Sequence, residues 1–269
     1  MQGITIVKRI FLTEIQYQAM RRIDVIIGFL FLWLPILLNV FLWKAVYGMD
    51  PGADAQLGYS LDQITTYFVV VLICNRLVGT NINTTMNQQI LDGSLNQFLL
   101  KPSSHFTFHI VKHIGHKSAE LIYMLIPGCV LFFIFQNSLL VPKWEDFLLF
   151  VLAILLGFCI HFLMYYALGM LGFWFGRAGQ IMTFIVSIIS LLDGSKFPTD
   201  FLPKWLNGIF LYFPFQYIFY FPIRIFLGSE SMASILRGLT LQGIWVFAIG
   251  AICIVAWRKG IARFGAFGG

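Results

Sequence analysis

The run HFTFHIVKHIGH, residues 105–116, holds four of the chain's five histidines. At 100° per residue, His105, His109, His113 and His116 fall within about 80° of one helical face. Two histidines at i and i+4 can bind zinc. No carboxylate or thiol lies within the run to complete a ligand set, and Lys112 and Lys117 interleave. The expectation is a stripe facing lipid head groups or a cytoplasmic partner, with no metal.

The remaining side chains that could do chemistry stand in or beside apolar runs. His161 sits mid-run, where a buried, hydrogen-bonded histidine is expected ahead of a pathway residue. Glu120 is placed to pair with Lys117 three residues earlier. Arg76 and Asp193 fall at opposite ends of their apolar segments, so no pair between them is expected. A membrane-embedded enzyme would need paired carboxylates or a metal motif inside those segments, and only His161 is there. An ion-coupled secondary transporter, the main competing function, would want inverted repeats and carboxylates at mid-depth, and neither is visible. No Gly-x-x-x-x-Gly-Lys-[Ser/Thr] occurs; GMLGFWFGRAG lacks both the lysine and the spacing. Any ATP chemistry must come from a separate chain.

The elements that would position these residues are written for lipid. Of 269 residues, 59% are apolar and 11% charged, with 29 Phe, 7 Trp and 10 Tyr. A soluble domain carries about 25% charge. All four cysteines (Cys74, Cys129, Cys159, Cys253) lie in apolar runs and read as small hydrophobes. Candidate spans are 25–46, 64–82, 119–135, 147–175, 178–192 and 239–257. The first would rise about 33 Å and the fourth about 44 Å. The fifth would rise only about 22 Å before Asp193, Gly194, Ser195 and Lys196 intervene, too short to cross alone.

The fold class expected is therefore an all-α integral membrane protein with six transmembrane helices. Residues 1–22 form an amphipathic helix on the cytoplasmic surface, with Ile4, Val7, Phe11 and Ile15 on one face, and residues 23–269 form the membrane domain. With both termini in the cytoplasm, twelve Lys and Arg fall inside and six outside, as the positive-inside rule asks. The +6 net charge then reports topology and no nucleic-acid partner. Residues 197–226 carry prolines at 198, 203, 214 and 222, which exclude one continuous helix. They read as two short helices dipping into the bilayer from outside and returning, covered by protein. Phe213, Phe215 and Tyr217 around Pro214 are candidate gate residues of a pathway, with His161.

Between the second and third spans stands QQILDGSLNQFLLKP, residues 88–102. Asp92, Gly93 and Ser94 can end one helix and start another, with Ser94 as N-cap. Leu95, Phe98 and Leu99 make an apolar ridge at i, i+3 and i+4, and Pro102 stops the helix. Such a helix is suited to a groove on a cytoplasmic partner.

This pattern resembles the coupling-helix motif of type-2 ABC exporter permeases. It is most similar to a branch of small bacterial permeases whose motif reads Ile-x-x-Gly-x-Leu-x-x-x-Leu-Leu-Lys-Pro. Ile90, Gly93, Leu95, Leu99, Leu100, Lys101 and Pro102 stand at those places. The surface helix, six spans, aromatic hairpin and the tail WRKGIARFGAFGG are similar to that family as well. Where its members carry glutamate before the glycine, Asp92 stands here, and Asn96 replaces an acidic position after Leu95. The resemblance implies two permeases, identical or related, clamped by two ABC ATPase subunits in a bacterial plasma membrane. It also implies export driven by ATP and Mg²⁺ held on those subunits.

Overall fold

The computed structural model describes residues 2–20, 22–49, 52–100, 104–136 and 138–264, and within these every regular element is helical. Helices α1 (Gln2–Met20) and α2 (Arg22–Met49) lead to the short α3 (Ala53–Leu57). Ser60 then opens α4 (Leu61–Val78) with a capping box: its hydroxyl accepts the Gln63 N–H while the Gln63 side chain accepts the Ser60 N–H. The chain breaks at Gly79–Asn81 and resumes as α5 (Ile82–Leu91) and α6 (Asn96–Leu99).

The predicted third span lies inside a longer helix, α7 (His105–Phe135), of 31 residues. Its first turns carry the histidine run beyond the apolar part. The fourth run divides into α8 (Trp144–Gly169) and α9 (Gly172–Phe175), where one tilted helix was expected. The Met170 N–H is shared among the carbonyls of the preceding turn, which tightens and ends α8. Helix α10 (Gly179–Leu192) has 14 residues, as short as its sequence predicted.

Segment 197–226 holds two short α-helices and, in addition to them, two 3-10 turns. It is cut into a 3-10 turn (Thr199–Phe201), α11 (Lys204–Phe210), a second 3-10 turn (Phe215–Tyr217) and α12 (Tyr220–Phe226). Each proline explains one cut. Pro198, Pro203 and Pro214 immediately precede an element, and Pro222 lies in the first turn of α12, where a missing N–H leaves nothing unpaired. The chain's last described helix is α13 (Met232–Phe264).

Among the described residues, three stretches are long and apolar enough to cross a membrane: Leu61–Leu91, Trp144–Phe175 and Met232–Phe264. Leu34–Met49 and Gly179–Leu192 are shorter apolar helices. Helix α8 is the hub, packed on α4, α5, α12 and α13, with Phe162 and Ile160 fully buried. Helix α1 packs along α7, where Gly115 lets the backbones close: a Cβ there would stand 3.2 Å from both the Phe11 carbonyl oxygen and Glu14 Cβ. The face of α1 turned to the protein thus carries Glu14 and Gln18, both buried, while Val7 of the expected apolar stripe is exposed.

Candidate functional site

The segment between α5 and α7 begins with a tight reversal. The Asp92 N–H donates to the Gln88 carbonyl at 2.9 Å, Gly93 takes φ +75°, and the Leu95 N–H reaches back to the Gln89 carbonyl at 3.0 Å. Only glycine adopts that left-handed conformation without strain. Asp92 Oδ1 accepts the Ser94 N–H at 2.9 Å, and bonding from Ser94 holds the Asp92 carboxyl below the usual carboxylate range. Ser94 is therefore not the N-cap that its sequence position predicted. It is already inside the turn, its carbonyl accepting from the Gln97 N–H, and Leu95 caps α6 without a side-chain bond.

The apolar ridge is split. Leu95 is 0% exposed and joins the central core with Ile90, whereas Leu99 is 47% and Leu100 88% exposed. The reversal at Gly93 turns Leu95 inward, so only the far end of the ridge faces outward. Phe98 lies between, its ring edge-on to His105 at 5.0 Å and to Phe108 at 5.1 Å. Lys101 and Pro102 lie outside the described residues.

His105 anchors the far end of the segment. Gln89 Oε1 can only accept, so His105 Nε2 donates to it at 2.8 Å and Nδ1 accepts from the Tyr166 hydroxyl at 3.0 Å. The same ring stacks on Trp257 at 5.2 Å. One buried imidazole thus joins α5, α8 and α13. His109 is also buried, against Phe98 and Phe108. The expected outward-facing histidine stripe is corrected: its first half is turned into the protein because that face of α7 packs on the segment and on α8. Among the described residues no three His, Cys, Asp or Glu side chains are grouped to hold a metal.

The second half of the stripe opens on a cavity of about 950 Å³ bounded by α1, α4, α5, α7, α8 and α10. Glu120 organises one wall: Lys117 Nζ stands 2.7 Å away, His116 Nε2 3.7 Å and Arg76 3.9 Å. The Lys117–Glu120 pair is the one its spacing predicted, and Lys117 also donates to the Arg76 carbonyl. His116 Nδ1 lies 3.5 Å from Glu14. Arg76 and Asp193 do not meet; Asp193 accepts the Ser195 N–H at the end of α10. His161 lines the cavity, 5% exposed and stacked on Tyr165 at 4.1 Å. Its Nδ1 is buried with no hydrogen-bond partner among the described residues, unlike the satisfied histidine expected. Sequence reading missed this cavity, although Lys112, His113, His116, Lys117 and Glu120 at helical spacing were its signal.

A family model for ABC-2 family transporter proteins matches residues 8–268, nearly the whole chain. The chain belongs to that family. No curated protein matches it. As an ABC-2 protein it is a multi-pass membrane component, a permease, of an ABC transporter.

In this ABC-2 permease the three aromatic gate candidates separate. Phe213 is 43% exposed and stacks parallel on half-buried Phe215 at 6.0 Å. Tyr217 is buried, its hydroxyl donating to the Leu211 carbonyl at 2.8 Å, so it is held in the packing. Helix α13 covers the irregular backbone here: Gln242 donates to the Tyr217 and Ala153 carbonyls, both at 2.8 Å, and Trp245 donates to the Tyr212 carbonyl. Arg224, read from sequence only as a topological charge, clasps this end of the permease. It reaches Asp200 at 3.3 Å, Glu230 at 3.1 Å, the Ser229 carbonyl at 3.3 Å and the Tyr59 hydroxyl at 3.3 Å. Tyr59 itself donates to Asp200.

Proposed function

We propose that this chain is the permease subunit of an ATP-driven exporter, and that residues 88–102 receive the stroke of a separate ABC ATPase. The observation that carries this reading is the division of the segment into a buried foot and an exposed tip. Leu95 and His105 are built into the packing of the spans, while Leu99 and Leu100 stand out where a partner's groove can take them. A push on the tip is passed to α8 and α13 through side chains already in contact. Asp92, Gly93 and Ser94 fix the reversal that sets the tip's direction.

In this reading ATP and Mg²⁺ act on two ATPase subunits, and the permease pairs with a second copy or a related chain. Both termini and the 88–102 segment lie in the cytoplasm of a bacterial cell, and the 197–226 segment lies outside the plasma membrane. Phe213 and Phe215 flank the outer end of the pathway. The absence of a phosphate-binding Gly-x-x-x-x-Gly-Lys motif supports a separate ATPase chain. Purification of the tagged full chain from native membranes tests this: an ABC ATPase should co-purify and hydrolyse ATP, and transport by the reconstituted complex should run outward. A preparation that transports without any ATPase would overturn the reading.

A further inference from the structure

We propose that the cavity beside α7 binds an anionic head group of phosphate or carboxylate type, and that this is how the transported molecule is first held. The second clause rests on the exporter reading; the first does not.

The charge arrangement gives the sign. Arg76, Lys112 and Lys117 line the cavity against two carboxylates, Glu14 and Glu120. Both carboxylates are already engaged: Glu120 by Lys117 and His116, Glu14 by the Gln18 amide at 2.8 Å and by His116. A cation entering the cavity would find acids whose bonds are taken. Lys112 has no carboxylate partner among the described residues, and the Asn75 and Asn81 side chains also line the cavity. An anion would find donors.

The second observation is His161. Its ring is nearly buried in the cavity wall, and among the described residues its Nδ1 has no hydrogen-bond partner. A buried polar atom left unpaired is unfavourable and asks for an explanation, which a bound ligand supplies. His161 lies well inside α8, so the cavity reaches from the charged mouth at Arg76 and Lys112 toward the depth of the apolar segments. Low-dielectric walls strengthen the attraction between a charged mouth and an opposite charge. About 950 Å³ is at the upper end of the usual small-molecule range, room for a whole head group and not an ion alone.

The test uses the full chain, with any co-purifying ATPase, in phosphatidylcholine nanodiscs, and measures equilibrium binding of radiolabelled dodecyl phosphate. Saturable binding that dodecyltrimethylammonium does not displace is expected. Lys112→Gln, an exposed position, should weaken it about tenfold, the worth of one charge-assisted hydrogen bond. His161→Phe keeps the stack on Tyr165 and should weaken it as well. Displacement by inorganic phosphate would assign the group to a soluble anion. Displacement only by phosphatidylglycerol placed in the disc would assign it to a membrane lipid. Either supports the site. Equal displacement by the cationic amphiphile, or unchanged binding in both variants, overturns it. An ATPase that co-purifies without dodecyl phosphate binding removes this inference alone; binding without any ATPase keeps the site and removes the exporter reading.

Discussion

Gln89 and His105 are 16 residues apart in sequence, and their side chains meet at 2.8 Å across the reversal that carries α6. The bond closes a loop whose tip, Leu99 and Leu100, is exposed, and the Tyr166 hydroxyl holds the same imidazole from α8. The loop is therefore fixed at its base to the membrane-spanning packing, with its far end open.

Removing that base should loosen the permease. In His105→Ala the Gln89 amide and Tyr166 hydroxyl lose their partner and the Trp257 stack is lost. Leaving buried polar groups unpaired costs about 1–3 kcal/mol each. A fall in thermal unfolding midpoint in detergent, with a larger fall in transport per ATP hydrolysed, is expected. A variant with wild-type midpoint would show that the imidazole is not a joint.

Leu95 and Leu99 should behave oppositely despite being one helical turn apart. Leu95→Ala empties a fully buried position and should destabilise the fold by about 2–5 kcal/mol. The double variant Leu99→Asp, Leu100→Asp alters only exposed side chains, so its unfolding midpoint should stay within error while ATPase co-purification is lost. If the exposed pair unfolds the protein and Leu95→Ala does not, the buried foot and exposed tip are wrongly assigned.

Gly157 sets how closely the 217–218 backbone approaches α8. A Cβ there would stand 2.7 Å from the Ile218 carbonyl oxygen and 3.2 Å from that of Tyr217. Backbone cannot move aside as a side-chain end can, and Gln242 pins the Tyr217 carbonyl from the other side. Gly157→Ala should destabilise by about 1–3 kcal/mol although alanine is the better helix former. A stabilised Gly157→Ala, read by the same thermal scan, would refute the close approach.

The helical character of the chain, the short α10 and the Lys117–Glu120 pair were readable because each depends on local composition or helical spacing. The reversal at Gly93 was readable as a break. Its consequence for Leu95 was not, since a four-residue helix leaves the i, i+3, i+4 rule too few turns to fix a face. His105 illustrates the same limit. A stripe of histidines has a direction only once the helix facing it is known, and α8 meets α7 through long-range packing that no window of sequence contains. The cavity needed six helices at once, and Arg224 needed Asp200, Glu230 and Tyr59 brought together from three separate segments.

Within the 197–226 segment the gate idea now rests on Phe213 and Phe215 and no longer on Tyr217. The two rings stack parallel at 6.0 Å, and Phe213 presents an open face. Tyr217 holds the Leu211 carbonyl. Tyr217→Phe should therefore lower the stability by about 1 kcal/mol for the lost hydrogen bond, read as a lower unfolding midpoint, and leave substrate range alone. Phe213→Ala with Phe215→Ala removes exposed or half-buried rings, and should change transport per ATP or substrate range with little effect on membrane insertion. The comparison is made in reconstituted complexes, with ATPase rate and transport measured together. If the double variant keeps the wild-type ratio and substrate range, the stacked pair is packing for the hairpin and gates nothing.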